Sequence, residues 1–525
     1  MRSQPPRRFR AIGPFALIWA LVSCSASPTE DEDILIDDNI PPSAVTNLTV
    51  TAFSAHSITL SWTAPGDDDN VGTATEYDLR RAAEQLTWED WFSAEEVMGE
   101  PTPQPAGSTE TMEVTGLIEG NTYYFALISY DEEGNWTGWS NVVSALCFDD
   151  YEVTISDPNL EAVIREILSK PTDPLTKRDM LDIVDIWAEE KQIVDISSLR
   201  ECENLASLNL WDNSVTDLTP LANLTGLSTL TLNMNNISDI TPLLNLTNLI
   251  SLGLDDNSIS DITAIAALTA LEYLRLDKNN IADVSPLAVL IALKELRLAE
   301  NNITDIGALA SLTELQYLSL QSNAILDITP LAGMTDLHHL TLRENQITGI
   351  SVLSGLYNLE HLTLSFNTVG SVDALSGLTN LQLLEIYNAG LSDLGPLTNL
   401  IRLQYLYLAN NNITDISALS SMTDLIHLHL GGNFIEDVGQ LTGLVNLTLL
   451  FLSVNNIHDI SAISGLGALE LLNLAYNQIT DITALVANVG IGNGDEVNLE
   501  NNPLSTQAID EQIPALQARG VVVVF

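Results

Sequence analysis

Residues 271–284 read LEYLRLDKNNIADV. Leu271, Leu274 and Leu276 mark an apolar face, Asn279 follows, and Ile281, Asp283 and Val284 close the stretch. The same asparagine stands at Asn213, Asn235, Asn257, Asn301, Asn323, Asn345 and Asn367, always 22 residues apart, and again at Asn411, Asn433, Asn455 and Asn477. Ala389 alone interrupts the series. A unit this small cannot bury its own leucines, so neighbours must stack into one core beneath a parallel sheet. The asparagine is expected to turn inward at each corner, where its amide meets backbone groups that the bend leaves unpaired. At Ala389 the pattern predicts a local irregularity.

The register is the leucine-rich-repeat pattern, held over thirteen units. Ahead of it, Asp157-Pro158-Asn159 introduces a helix with Leu160, Val163, Ile164 and Ile167 on one face, which should plug the open end of the stack. This segment, with the degenerate unit Ile183, Ile186, Lys191 and Ile193, resembles the amino-terminal cap of bacterial internalin-type proteins. Beyond the repeats, Asn501-Asn502-Pro503-Leu504, a helical 507–519 and the apolar Val521 to Phe525 resemble a closing cap. The expected boundaries are 148–182 for the first cap, 183–486 for the repeats and 487–525 for the second cap. An aspartate recurs four places after most of the asparagines, from Asp217 to Asp481. Hydrogen bonding inside its own turn is the expected role, in preference to a column of threaded cations.

Composition excludes several classes. Nineteen Lys and Arg face seventy Asp and Glu, a net charge of −51, which would repel nucleic acid. With 46 % hydrophobic residues the chain must nonetheless fold. Three cysteines are too few for a disulfide scaffold. Cys202 takes a core leucine position and should be a buried free thiol; Cys147 falls between sandwich and cap, and a bond between the two stays open.

The first residues read as an export signal, 1–23: Arg2, Arg7, Arg8 and Arg10 precede an apolar run from Ala11 to Val22. Leu21-Val22-Ser23-Cys24 resembles the lipobox of bacterial lipoproteins, which implies cleavage before Cys24 and lipidation of its thiol. Residues 24–40 are acidic and polar, an extended tether.

From Pro41 the texture changes to short alternating strands at Val45–Thr51, Ser57–Trp62, Tyr77–Arg80, Met112–Thr115, Thr122–Tyr130 and Asn141–Ala145, a two-sheet sandwich with Trp62 inside. Leu60-Ser61-Trp62, Gly116-Leu117, Gly120 and Tyr123-Tyr124-Phe125 resemble a fibronectin type III module over 41–147, with Tyr123 as the corner tyrosine and 84–110 as an acidic insertion. Asp67-Asp68-Asp69-Asn70 reads as a solvated turn more than a calcium loop. Trp88, Trp91 and Trp136 read either as a binding patch or as packing within the sandwich, and packing is the expected use.

In each Leu-x-Leu strand the leucines point inward, so the residues six, four and two places before each asparagine pave the concave face. Ten of the twelve aromatics between Ile183 and Leu485 fall there or at the adjoining exit position. Among them are Trp187, Trp211, Tyr273 and Tyr387. Tyr317, His339 and His361 share one column, Tyr407, His429 and Phe451 another; Tyr405 adjoins His427, and Arg275 adjoins Arg297. Arg343 lies on the same face. Aromatics and arginine anchor protein interfaces, so this set is the expected partner-binding surface.

The sequence carries no nucleophile elbow, zinc helix, phosphate loop or dinucleotide fingerprint. The expected protein is therefore not an enzyme, uses no cofactor or metal, and is a monomeric lipoprotein at the outer membrane or cell surface. It would bind a protein through the solenoid. A polysaccharide ligand and a purely structural spacer are the competing readings.

Overall fold

The computed structural model describes residues 40–525. The export signal, Cys24 and the tether up to residue 39 lie outside the described residues. The chain divides into two units at Asp149.

The first unit is the sandwich. β1 (Thr49–Phe53), β2 (Ser57–Thr63) and β5 (Thr109–Thr115) form one antiparallel sheet. β3 (Glu76–Ala82), β4 (Glu95–Val97), β6 (Thr122–Tyr130) and β7 (Val143–Leu146) form the other, in the order β4-β3-β6-β7. Trp62 is buried and meets Tyr77 edge-on at 5.3 Å. The Tyr123 hydroxyl accepts the Ile118 N–H at 3.1 Å, closing the tyrosine corner.

Several details differ from the sequence reading; β5 starts earlier than expected, at Thr109, and β7 later, at Val143. The first ladder begins at Thr49, not Val45, because the Asn141 side chain bonds both the N–H and the C=O of Leu48 in place of a neighbouring strand. The insertion contributes β4, whose Val97 pairs with Leu79 at the sheet edge. Cys147 belongs to the sandwich core, where its backbone pairs with Gly120 and Asn121. Its thiol and that of Cys202 are both free.

The second unit is a sixteen-stranded parallel sheet running from Asp185–Trp187 to Val522–Val524. Strands align one to one at the 22-residue step, as in Leu252, Leu274 and Leu296. The sheet exceeds the thirteen periodic units because the degenerate unit supplies Asp185–Trp187, and the closing cap supplies Glu496–Asn498 and Val522–Val524. In the unit quoted first, Leu271, Leu274, Leu276, Ile281, Val284, Leu287 and Leu290 are all buried. Each contributes about 1.5–3 kcal/mol relative to exposure.

Asn279 shows how a corner is held. Its Nδ2 donates to the carbonyls of Leu254 (2.9 Å), Leu276 (3.2 Å) and Asp277 (3.2 Å), and its Oδ1 accepts the Ile259 N–H at 2.9 Å. One amide therefore ties its own strand exit to the preceding unit. The residue before each asparagine is left-handed, from Asp212 at φ 52° to Tyr476 at φ 58°, with Gly432 in the same place. At position 389 there is no side-chain oxygen for the Val369 amide. Gly370 turns left-handed instead and donates to the Ala389 carbonyl at 3.2 Å, and Val369 is 7 % exposed where its counterpart Ile347 is 0 %. The recurring aspartates bond in their own turns: Asp217, Asp239 and Asp283 each accept, at 2.8 Å, the N–H two residues on.

At the first cap, Asp157 begins helix α1 (Pro158–Leu168) by accepting the N–H groups of Asn159 and Leu160 through one oxygen and of Val194 and Asp195 through the other. Leu160, Val163 and Ile164 are buried, but Ile167 is 42 % exposed, because the helix stops one residue later at a left-handed Ser169. A short helix α2 (Lys177–Leu181) places the Lys177 ammonium against Glu201 and Glu203, at 3.1 and 2.5 Å. Burial pushes the Cys202 thiol up to about 12. At the far end Gln512 accepts the Ile482 N–H and donates to Asp481, and Arg519 covers the carbonyls of Val486, Asn488 and Ile491.

Replacing Asn301 by Ala strips the acceptor from the Ile281 N–H and the donor from three buried carbonyls. The expected loss is about 2–4 kcal/mol of unfolding free energy, read by denaturant titration. Amide exchange at Ile281 should accelerate towards that of Val369, whose N–H has no asparagine acceptor; unchanged protection would contradict the bridging role.

Candidate binding surface

The strand register puts the outward-facing side chains into columns on the open side of the sheet. Tyr317, His339 and His361 are directly paired across three strands, with ring centres 5.6 and 4.3 Å apart. Tyr405 stands edge-on to His427 at 4.9 Å, and His429 to Phe451 at 5.0 Å. Two diagonal contacts knit these pairs together. The Tyr387 hydroxyl lies 3.3 Å from Nδ1 of His429, and the Tyr407 hydroxyl 3.2 Å from Nδ1 of His427. Tyr387, Tyr405, Tyr407, His427, His429 and Phe451 thus form one partly exposed cluster.

The arginines are close to one another but not free. Glu295 accepts from Nε of Arg275 at 3.1 Å and from Nε of Arg297 at 2.7 Å, and the Arg297 guanidinium lies 4.7 Å above the Tyr317 ring. Arg343 lies 4.9 Å over Phe366 and pairs with Glu385 at 3.4 Å. Tyr273, Lys294, Glu295, Gln316, Tyr317 and His338 line a hollow of about 300 Å³ beside these charges. Trp187 is exposed on the first strand, and Trp211 is half-buried two strand exits before Asp255. The structure therefore gathers the histidine and tyrosine positions into two groups, Tyr317 with His339 and His361, and Tyr387 with Tyr405, Tyr407, His427, His429 and Phe451, with Leu383 between His361 and Tyr405 and the two tryptophans on the first strands of the sheet.

Several participants escaped the sequence reading. Asp255 and Asp277 lie two places before their asparagines, and each carboxylate accepts the N–H of the residue in the same place on the next unit, Asp277 at 2.9 Å and Ala299 at 2.6 Å. Asn233 makes the same contact to Asp255, and Ser365 to Tyr387. An acceptor side chain at that place in consecutive units was the available signal. Burial raises both carboxyls, that of Asp277 to about 6, with the neighbouring Asp255 charge adding to the effect. Burial also lowers His429 below the ordinary imidazole range, and burial together with His361 lowers His339.

A raised carboxyl favours the protonated form in the fold, so its burden on stability grows as pH rises from the unfolded value of 3.8 to about 6 and is complete above that. Asp277→Asn keeps the acceptor for Ala299 and removes the charge. It should raise unfolding free energy at pH 7 by about 1–2 kcal/mol after solvent screening, and the gain should vanish near pH 4. A gain independent of pH would refute the assignment.

These features define a class: a leucine-rich-repeat solenoid with a side-chain-rich open sheet, preceded by a fibronectin type III module. Leucine Rich repeats (2 copies) match six blocks between residues 203 and 487, and the fibronectin type III domain matches 43–145. An internalin of Listeria monocytogenes, InlF, is 34 % identical with a TM-score of 0.59 over 62 % of this chain and 96 % of its own. A leucine-rich-repeat protein of Leptospira interrogans is 25 % identical, TM-score 0.60, over 66 % of this chain and 97 % of its own. The functional domain of InlJ from Listeria monocytogenes shares the fold at 21 % identity, TM-score 0.56, over 66 % and 79 %. Comparison with curated proteins returns no match. The chain belongs to the internalin-type leucine-rich-repeat proteins.

Proposed function

We propose that this is a lipid-anchored bacterial cell-envelope protein that binds a protein partner noncovalently through the concave face of its repeats. The observation that carries the reading is the cluster of Tyr387, Tyr405, Tyr407, His427, His429 and Phe451. In a solenoid whose leucines are buried, these rings are held outward in contact with one another, as interface anchors are. The 34 % identity with an internalin supports a recognition role. Anchoring rests on Leu21-Val22-Ser23-Cys24; among the described residues no helix is long and apolar enough to cross a membrane. Cys24→Ser should move the protein from the membrane fraction to the soluble one, and a protein that stays with the membrane would argue against the lipid.

The decisive experiment is capture of partners by residues 41–525, compared with the same chain carrying Tyr405→Ala, Tyr407→Ala and His429→Ala, followed by mass spectrometry. A protein held by the first and lost at least tenfold by the second is expected, since anchors of this kind contribute about 1–2 kcal/mol or more each. Retention of every captured protein, or binding only on a glycan array, would reject the reading. Binding to that partner should be flat from pH 8 to 7 and weaken as pH falls below about 6.5. Neutral His339 and His429 fit an apolar contact, and protonation works against both burial and binding.

A further inference from the structure

The sandwich carries a second aromatic surface. Trp88 and Trp136 lie with ring centres 5.3 Å apart and are 42 % and 39 % exposed; Phe92 meets Trp88 at 6.0 Å and is 77 % exposed. Beneath them Trp91 is buried, stacked with Trp88 at 6.4 Å, and Trp139 meets both Trp88 and Trp91 edge-on. From the sequence, packing is the expected use of Trp88 and Trp136, with a binding patch as the competing reading. They do pack, but on the outside, as a shelf braced from below.

Charge decides what such a shelf suits. Residues 41–147 hold seventeen Asp and Glu and two cations, Arg80 and Arg81. Both cations are engaged: Arg80 pairs with Asp78 at 2.9 Å and lies 5.5 Å over Trp91, and Arg81 pairs with Glu95 at 2.6 Å and lies 5.6 Å over Tyr123. Glu84, Glu89 and Asp90 are exposed on the segment that carries Trp88 and Phe92, and Glu132 is exposed on the turn leading into Trp136. The π face of an indole and a carboxylate attract the same kind of group, a cation. A neutral partner would strip water from those carboxylates and return no counter-charge, and an anionic one would be repelled. The contact of Arg80 with Trp91 is an internal example of the geometry.

We propose that the face of Trp88, Phe92 and Trp136 docks a basic segment of a partner protein. Arginine or lysine side chains lie on the exposed rings, and Glu89 and Asp90 accept their remaining N–H groups. All of these side chains belong to the sandwich unit.

The test is titration of the full chain at 0.15 M salt with a short arginine-rich peptide, followed by tryptophan fluorescence and calorimetry. The peptide's citrulline counterpart, which keeps shape and loses charge, and a neutral oligosaccharide serve as comparisons. Saturable binding of the arginine peptide alone is expected. Phe92→Ala and Trp136→Ala leave net charge unchanged and should each weaken it about three- to thirtyfold, with circular dichroism unaltered. Because Phe92 is largely outside the fold, its variant keeps the test valid even where Trp136→Ala perturbs the sandwich. Wild-type affinity in the Phe92 variant would show that the acidic coat alone holds the peptide, and equal binding of citrulline peptide or oligosaccharide would show that charge is not read; either result overturns the proposal.

Discussion

The solenoid depends on one side-chain amide used repeatedly. An asparagine at the strand exit donates from its Nδ2 to carbonyls of two successive units and accepts at its Oδ1 a backbone N–H of the earlier one, as Asn279 does with Leu254, Leu276 and Ile259. A buried carbonyl or N–H left without a partner costs about 1–3 kcal/mol, and the corner of every unit exposes several. The leucines supply cohesion without direction; the amide fixes where one unit ends relative to the next. That is why a strand of three residues can hold register across sixteen strands.

Fixed register has a direct effect on the outer face. Because Leu274 sits opposite Leu252 and Leu296, the residues on either side of it are aligned with their equivalents, and side chains far apart in sequence become neighbours. His339 and His361 touch for this reason, and Glu295 reaches two arginines. The face is assembled in two dimensions from choices made along one. Within it the charged groups neutralise one another around Glu295 and Glu385, while the tyrosines and histidines to their C-terminal side share hydroxyl and imidazole contacts.

Most of this was legible in the sequence because periodicity is a strong signal. The 22-residue step gave the strands, the columns and the asparagine corners, and Tyr123 and Trp62 marked the sandwich. What was not legible depended on contacts between segments with no shared period. Val45 lost its strand to the Asn141 side chain 93 residues from Leu48. Ile167 fell on the apolar face of a helix that ends too early to bury it. The engagement of Arg275 and Arg297 turned on an acid between them, and the outward position of Trp88 and Trp136 on the buried indole below. Charge partners and ring supports of this kind leave no regular mark on a chain.

The constant 22-residue step also governs how such a molecule can change its size. Away from the corner at Ala389, inserting or deleting a whole unit between Asn213 and Asn477 would leave the interior residues with neighbours of the same kind and slide the downstream face by one strand spacing, about 4.8 Å. The last two strands follow a different interval, with Leu472 opposite Val497 and Val497 opposite Val523. The terminus is therefore bespoke while the middle is interchangeable, and genetic variation in reach should accumulate in the middle.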